Sequence, residues 1–266
     1  MKKLSIIILF LFSSTLLLYG QIGGVSNSKL NSLNIDAIPH HTVEFEPTVF
    51  HAVSKKSWDG NGKLVDLYGS SDSVFKTTGL AFRFTYGLWD KLELGASIST
   101  DLALTNLGIK YKFWTNNKMG FAAIAGANIP LGNKTIDNTI RLSENLTSLG
   151  GGIVYTAYIN DKFSIDASAQ YLFFAEKTED HHKGSYYLNT DLGYYIFDHQ
   201  LQLVAAFGYQ SASFENFNSN TITMYPGFTV ETGKNYVLVI QAPFDLAGKN
   251  ALKNSGLAFS LTIAID

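Results

Sequence analysis

The sequence predicts an all-β fold: an antiparallel, up-and-down transmembrane β-barrel of about twelve strands. Three observations predict it. Apolar and polar residues alternate through one segment after another, the connections between segments sort into short and long, and a secretory-type leader precedes them.

The leader comes first. Lys2 and Lys3 form a short basic start, an apolar run extends from Ile6 to Leu18, and Tyr19-Gly20 close it before the polar Gln21. That order is a signal peptide, and the run falls short of the ~20 residues of a spanning helix. The chain therefore divides into a signal peptide at 1–20, a periplasmic N-terminal segment at 21–40 and a barrel at 41–266. The sequence leaves open whether Gln21 to His40 fills the lumen or trails away from it.

The strands follow. Leu80, Phe82, Phe84 and Tyr86 alternate with Ala81, Arg83, Thr85 and Gly87; Leu92, Leu94, Ala96 and Ile98 alternate with Glu93, Gly95, Ser97 and Ser99. Leu107, Ile109, Tyr111 and Phe113 oppose Gly108, Lys110, Lys112 and Trp114. The same period of two returns around Leu149–Ala157, Phe163–Phe173, Leu188–Ile196, Leu201–Tyr209 and Leu257–Ile265. Each segment is roughly ten residues long, the reach of a tilted membrane strand. Pro47 and Pro226 fall inside two segments of this kind, where a proline interrupts a ladder unless it sits at an irregularity.

Short turns are expected at Leu88–Lys91, Thr115–Lys118, Asn160-Asp161, Phe197–Gln200 and Gly233–Asn235. Long polar loops are expected at His51–Phe75, Gly132–Leu146, Glu176–Ser185, Ser211–Asn220 and Asp245–Asn254. In an outer-membrane barrel the short side is periplasmic, so both termini are expected there. Aromatic residues gather at both strand ends: Tyr86, Trp89, Phe113, Trp114, Tyr194 and Tyr195 near short turns, and Phe50, Phe173, Tyr186, Tyr187 and Tyr225 near long loops. They read as two interfacial girdles.

Composition excludes several functions. There is no cysteine, which removes disulfides, thiolate metal sites and thiol catalysis. With 20 basic residues against 22 acidic ones, two of the basic ones in the leader, the chain has no nucleic-acid footprint. Serines are plentiful, but no nucleophile-elbow motif is present and no histidine falls in a clear strand, so no enzyme is expected. Gly150-Gly151-Gly152 lacks the Lys-Ser/Thr of a phosphate loop and reads as strand bending or close packing.

Within Arg83–Gly95, the run Tyr86-Gly87-Leu88-Trp89-Asp90-Lys91-Leu92-Glu93-Leu94 resembles a hairpin carried by the outer-membrane transporter family linked to the meta-cleavage pathway of phenol degradation. Leu107-Gly108-Ile109-Lys110-Tyr111-Lys112-Phe113 and Pro130-Leu131-Gly132 continue the likeness. The resemblance implies a transporter-like barrel in the outer membrane and names no substrate.

If the apolar positions face lipid, the opposite set faces the lumen. Its charged members are Glu44, Glu46, Arg83, Glu93, Lys110, Lys112, Asp166 and Asp191, joined by Gln170, Asn189, Gln202, Gln210 and Gln241. Parity places Glu93 opposite Lys110 or Lys112, with Arg83 near enough to join. These groups either line a permeation path or fill and stabilise a narrow interior. His181 and His182, beside Glu179 and Asp180, are the weak candidates for a metal, and a solvated loop tip is the better reading, because adjacent side chains seldom converge on one ion. No cofactor is expected. The partners implied are outer-membrane lipid, the barrel-assembly machinery and a small-molecule solute, aromatic or apolar. The competing function is a non-conducting scaffold or surface-binding barrel acting through its long loops.

Overall fold

The computed structural model describes residues 21–26, 29–69, 73–99, 104–130, 147–175, 183–197, 200–233 and 235–265. They form fourteen strands: β1 (Val43–Trp58), β2 (Leu64–Asp66), β3 (Phe75–Trp89), β4 (Leu92–Ser99), β5 (Leu104–Thr115), β6 (Met119–Pro130), β7 (Ser148–Tyr158), β8 (Phe163–Phe174), β9 (Gly184–Phe197), β10 (Leu201–Ser213), β11 (Asn218–Glu231), β12 (Tyr236–Gln241), β13 (Phe244–Lys249) and β14 (Ala251–Ile265). Short β2 pairs only with the end of β1, and β12 and β13 are two halves of one stave between β11 and β14. Pairing of β1 with β14 closes a barrel of twelve antiparallel staves. Among the described residues closure gives every stave two neighbours, with β13 sharing only the rung Phe244–Ser255 with β14, and such closure is the condition for strands to cross a bilayer.

Alternation is realised stave by stave. On β8, Ser164, Asp166, Ser168, Gln170 and Leu172 are buried, while Tyr171 and Phe173 are exposed. Phe84, Leu94, Leu107, Ile109, Tyr111, Ile153, Tyr186, Leu188, Leu203 and Phe259 continue that outward apolar band. Bulges shift the pattern locally. The irregularity between Lys112 and Trp114 leaves both Phe113 and Trp114 outside, whereas parity alone had put Trp114 on the inner face.

The turns are built by their side chains. Asn116 Oδ1 accepts the amides of Lys118 and Met119, and Asn160 Oδ1 those of Lys162 and Phe163. Both ends of the strand circuit lie at this short-turn end, since Val43 pairs with Ile265 and with Tyr86. At the other end, two expected loops are mostly strand. β10 and β11 run to Ser213 and from Asn218, and β13 turns into β14 at Asn250. The polar residues there had read as loop, but strands that outrun the bilayer face water, and polarity no longer distinguishes the two. Pro47 and Pro226 both sit within strands. Pro47 keeps register with Phe82, and Pro226 pairs with Ala205 on one side while its carbonyl accepts Ala242 N–H across the break between β12 and β13.

Candidate functional site

Of the segment 21–40, whose place the sequence left open, the described residues as far as Ile38 lie inside the barrel. A turn at His41 (φ 66°), with Thr42 N–H donating to Pro39 O and His41 N–H to Gly87 O, folds the chain from the start of β1 into the bore. Ile22, Val25, Leu30, Leu33, Ile35 and Ile38 are all at most 6% exposed. Each apolar side chain so buried contributes about 1.5–3 kcal/mol against exposure. Ile22, Val25, Leu33 and Ile35 pack on Ala122, Ile124, Val154, Leu172 and Tyr187; Leu30 packs on Val204, Ala206, Tyr225 and Val239. Tyr187 and Tyr225, expected in a lipid girdle, thus face inward and hold this plug, and Phe50 also lines the interior.

Two carboxylates fasten the plug. Glu93 on β4 accepts Ser26 N–H at 2.7 Å, the Ser26 hydroxyl, and Ile38 N–H at 3.0 Å, so both limbs of the segment meet at one side chain. Lys110 on β5 is Glu93's rung partner, its Nζ 3.3 Å from Oε1 and 2.8 Å from Ser26 Oγ. Glu93 and Lys110 are both fully buried, as the parity argument had paired them. On the far side, Asp191 on β9 accepts three successive amides, Leu30, Asn31 and Ser32, at 2.8, 2.9 and 2.9 Å. Charge-assisted bonds of this sort are the strong class.

The other predicted charges also point inward. Asp166 binds plug Lys29 at 2.5 Å and accepts from Thr156. Lys112 reaches plug Asp36 at 3.1 Å, and Tyr158 donates to the same carboxylate at 2.8 Å. Arg83 does not join Glu93: it pairs with Glu46 at 2.6 Å and Glu44 at 3.3 Å on neighbouring β1. His181 and His182 lie outside the described residues.

Backbone meets backbone where the wall carries glycine. A Cβ at Gly95 would sit 1.6 Å from Gly24 O, and one at Gly87 would sit 2.0 Å from Pro39 O. No other residue leaves room for the plug at those two points. The signal that sequence reading missed was six branched apolar residues, without strand period, in the stretch given as a periplasmic N-terminal segment.

Space remains beside the plug. A cavity of about 850 Å³ at the short-turn end is lined by Lys29, Asp36, Glu44, Tyr158, Tyr195 and Glu231 among others. A smaller one, about 160 Å³, lies against Arg83, Glu46, Phe50, Asn106 and Gln241. Among the described residues no cluster of three metal-ligating side chains occurs.

Replacing Asp191 with Ala removes one acceptor for three amides and is expected to weaken plug docking by roughly 3 kcal/mol. Hydrogen exchange at Leu30–Ser32 should then accelerate by about a hundredfold while β8 and β9 keep their protection; unchanged exchange would contradict the assigned role.

The sequence matches a family model described as "Putative MetA-pathway of phenol degradation" over residues 85–261. The plug, all of β1 and β3 up to Phe84 lie outside that match. Among solved structures, the chain is similar to the COG4313 outer membrane channel from Pseudomonas putida F1, at 17% identity and a TM-score of 0.71, covering 89% of this chain and 100% of that one. It is also similar to the KdgM porin in complex with disordered oligogalacturonate, at 7% identity and a TM-score of 0.54, covering 83% and 99%. At these identities the likeness is one of fold. No curated protein matches the sequence.

Proposed function

Because the chain belongs to the family described as MetA-pathway of phenol degradation, whose matched span takes in most of the barrel, we propose that it is an outer-membrane channel for small apolar or aromatic solutes, partly occluded by its own N-terminal segment. In this reading residues 1–20 are removed as a signal peptide, the short-turn end and both chain ends face the periplasm, and the solute passes alongside the plug. The observation that carries the reading is the 850 Å³ cavity beside the plug, whose wall mixes charges with Tyr158, Tyr195, Val237 and Val239. Those tyrosine and valine side chains offer a permeating ring an apolar strip within a wall that is otherwise largely polar and charged.

A scaffold function competes because the interior charges satisfy one another. Solute flux separates the two. Gram-negative cells whose outer membrane holds the barrel should take up phenol faster than cells without it. Equal rates with correctly folded, inserted protein would favour the scaffold and end the channel reading.

A further inference from the structure

The smaller of the two cavities is bordered by polar groups that neither plug nor wall has used. It measures about 160 Å³ and lies between the plug and the inner faces of β1, β3, β4, β5, β12 and β14. Asn106 on β5 and Gln241 on β12 both line it, at 4% and 8% exposure. Among the described residues, neither Asn106 Oδ1 nor Gln241 Oε1 has a hydrogen-bond partner.

The surroundings hold these two amides in place. Asn106 is committed at its other end, where Nδ2 donates to Ser97 Oγ, on its rung partner, at 2.9 Å. The plug backbone crosses that pair closely: a Cβ at Gly23 would sit 2.8 Å from Ser97 Oγ and 2.9 Å from Asn106 Nδ2. Leu30 of the plug comes down beside Gln241, since a Cβ at Gly227, the rung partner of Gln241, would sit 2.9 Å from Leu30 Cδ1. Phe50 supplies an aromatic surface, and its ring lies so close on Gly79 that no Cβ fits there. Val239 adds an aliphatic one.

Size and chemistry then select an occupant. A void of roughly 150 Å³ accepts benzene, so this cavity holds one small ring. Two amide oxygens without partners call for donors, and each can accept two bonds. The charges on the wall are already paired, Arg83 with Glu46 at 2.6 Å and Lys29 with Asp166 at 2.5 Å. A charged occupant would compete with those pairs, whereas a neutral one leaves them whole. A hydrocarbon ring seated here leaves both oxygens unmet, the costly case for buried polar groups. A ring that carries a hydroxyl meets one of them. The cavity shares Lys29 and Val239 with the larger one at the short-turn end, so it adjoins the space beside the plug.

We propose that this cavity is a solute-binding subsite for a small, neutral, ring-sized molecule that carries a hydrogen-bond donor. Asn106 Oδ1 and Gln241 Oε1 are its acceptors, and Phe50 and Val239 its apolar seat. The inference rests on the channel reading and narrows it: among solutes of one size, those that donate are held.

The test uses the full folded barrel in lipid nanodiscs, with benzyl alcohol, toluene and benzonitrile as probes. The three share a ring; the first donates a hydrogen bond, the second does not bond, and the third only accepts. Binding is measured against protein-free discs, which subtracts partition into lipid. Benzyl alcohol should bind roughly fivefold more tightly than the other two, the worth of one neutral hydrogen bond. It should also move the side-chain amide NMR signals of Asn106 and Gln241. Gln241→Met and Asn106→Leu discard unpartnered oxygens, so both variants should keep the heat-modifiable migration of the parent. Combined, they should bring benzyl alcohol down to the level of toluene and leave toluene unchanged. The comparison of probes needs no substitution and carries the test if the double variant does not fold. Equal affinity for all three probes overturns the subsite, as does a preference for benzyl alcohol that survives both substitutions. Phenol uptake judges the channel reading separately. Uptake without selective binding keeps the channel and removes the subsite; selective binding without uptake keeps the subsite, in a barrel that does not conduct.

Discussion

Deleting residues 21–38 should turn a nearly closed barrel into an open, cation-preferring pore. The segment spans the bore from Glu93 on β4 to Asp191 on β9, five staves apart around the circuit. Its removal vacates the space of six buried branched side chains and strips Asp166 of its Lys29 partner. Of the eight predicted charges, five carboxylates (Glu44, Glu46, Glu93, Asp166, Asp191) then face three cations (Arg83, Lys110, Lys112). Low-dielectric walls magnify that excess for a permeating ion. Single-channel recording in planar bilayers should show conductance several times that of the full chain, with reversal potentials shifted toward the cation. Adding a peptide of residues 21–38 should restore the lower level. A deletion variant that is inserted, folded and no more conductive than the parent would show that the plug does not limit the pore.

The second large effect is expected at Lys110. Replacing it with Met leaves Glu93 as an uncompensated carboxylate in a fully buried position. Breaking a buried ion pair in this way costs about 3–5 kcal/mol. The change should appear as a lower urea midpoint for loss of heat-modifiable gel migration. Glu93→Gln combined with Lys110→Met should recover most of the loss, since the amide carries no charge and still offers an oxygen to Ser26 or Ile38. A single Lys110→Met variant as stable as the parent would mean that water reaches Glu93.

Much of this architecture could be read from the alternation alone, and the reason is geometric. A barrel wall has one face in lipid and one in the lumen, so a period of two writes itself into Phe163–Phe173 and its counterparts. The same rule carried the Glu93–Lys110 rung, because residues paired across a hairpin must share a face. It could not carry what depends on the third dimension. Arg83 is sequentially near the Glu93 hairpin, yet its guanidinium turns to the other neighbour, β1, whose register was unknown. Tyr187 and Tyr225 look like girdle residues from composition, and only the plug behind them explains their burial. The plug itself has no period, since an irregular segment satisfies its amides on wall carboxylates such as Asp191 rather than on a ladder.

The pairing of β1 with β14 joins Val43 to Ile265, the two ends of the wall. Contacts that far apart in sequence form late, after a long loop has paid its closure entropy. The first part of the chain, however, already grips the middle: Ser26 and Ile38 on Glu93, Lys29 on Asp166, Leu30 to Ser32 on Asp191. A sheet wound around its own leading segment has its curvature set before its last seam meets. The plug then serves as a mandrel for assembly, and a chain lacking it should close more slowly even where the finished wall is equally stable.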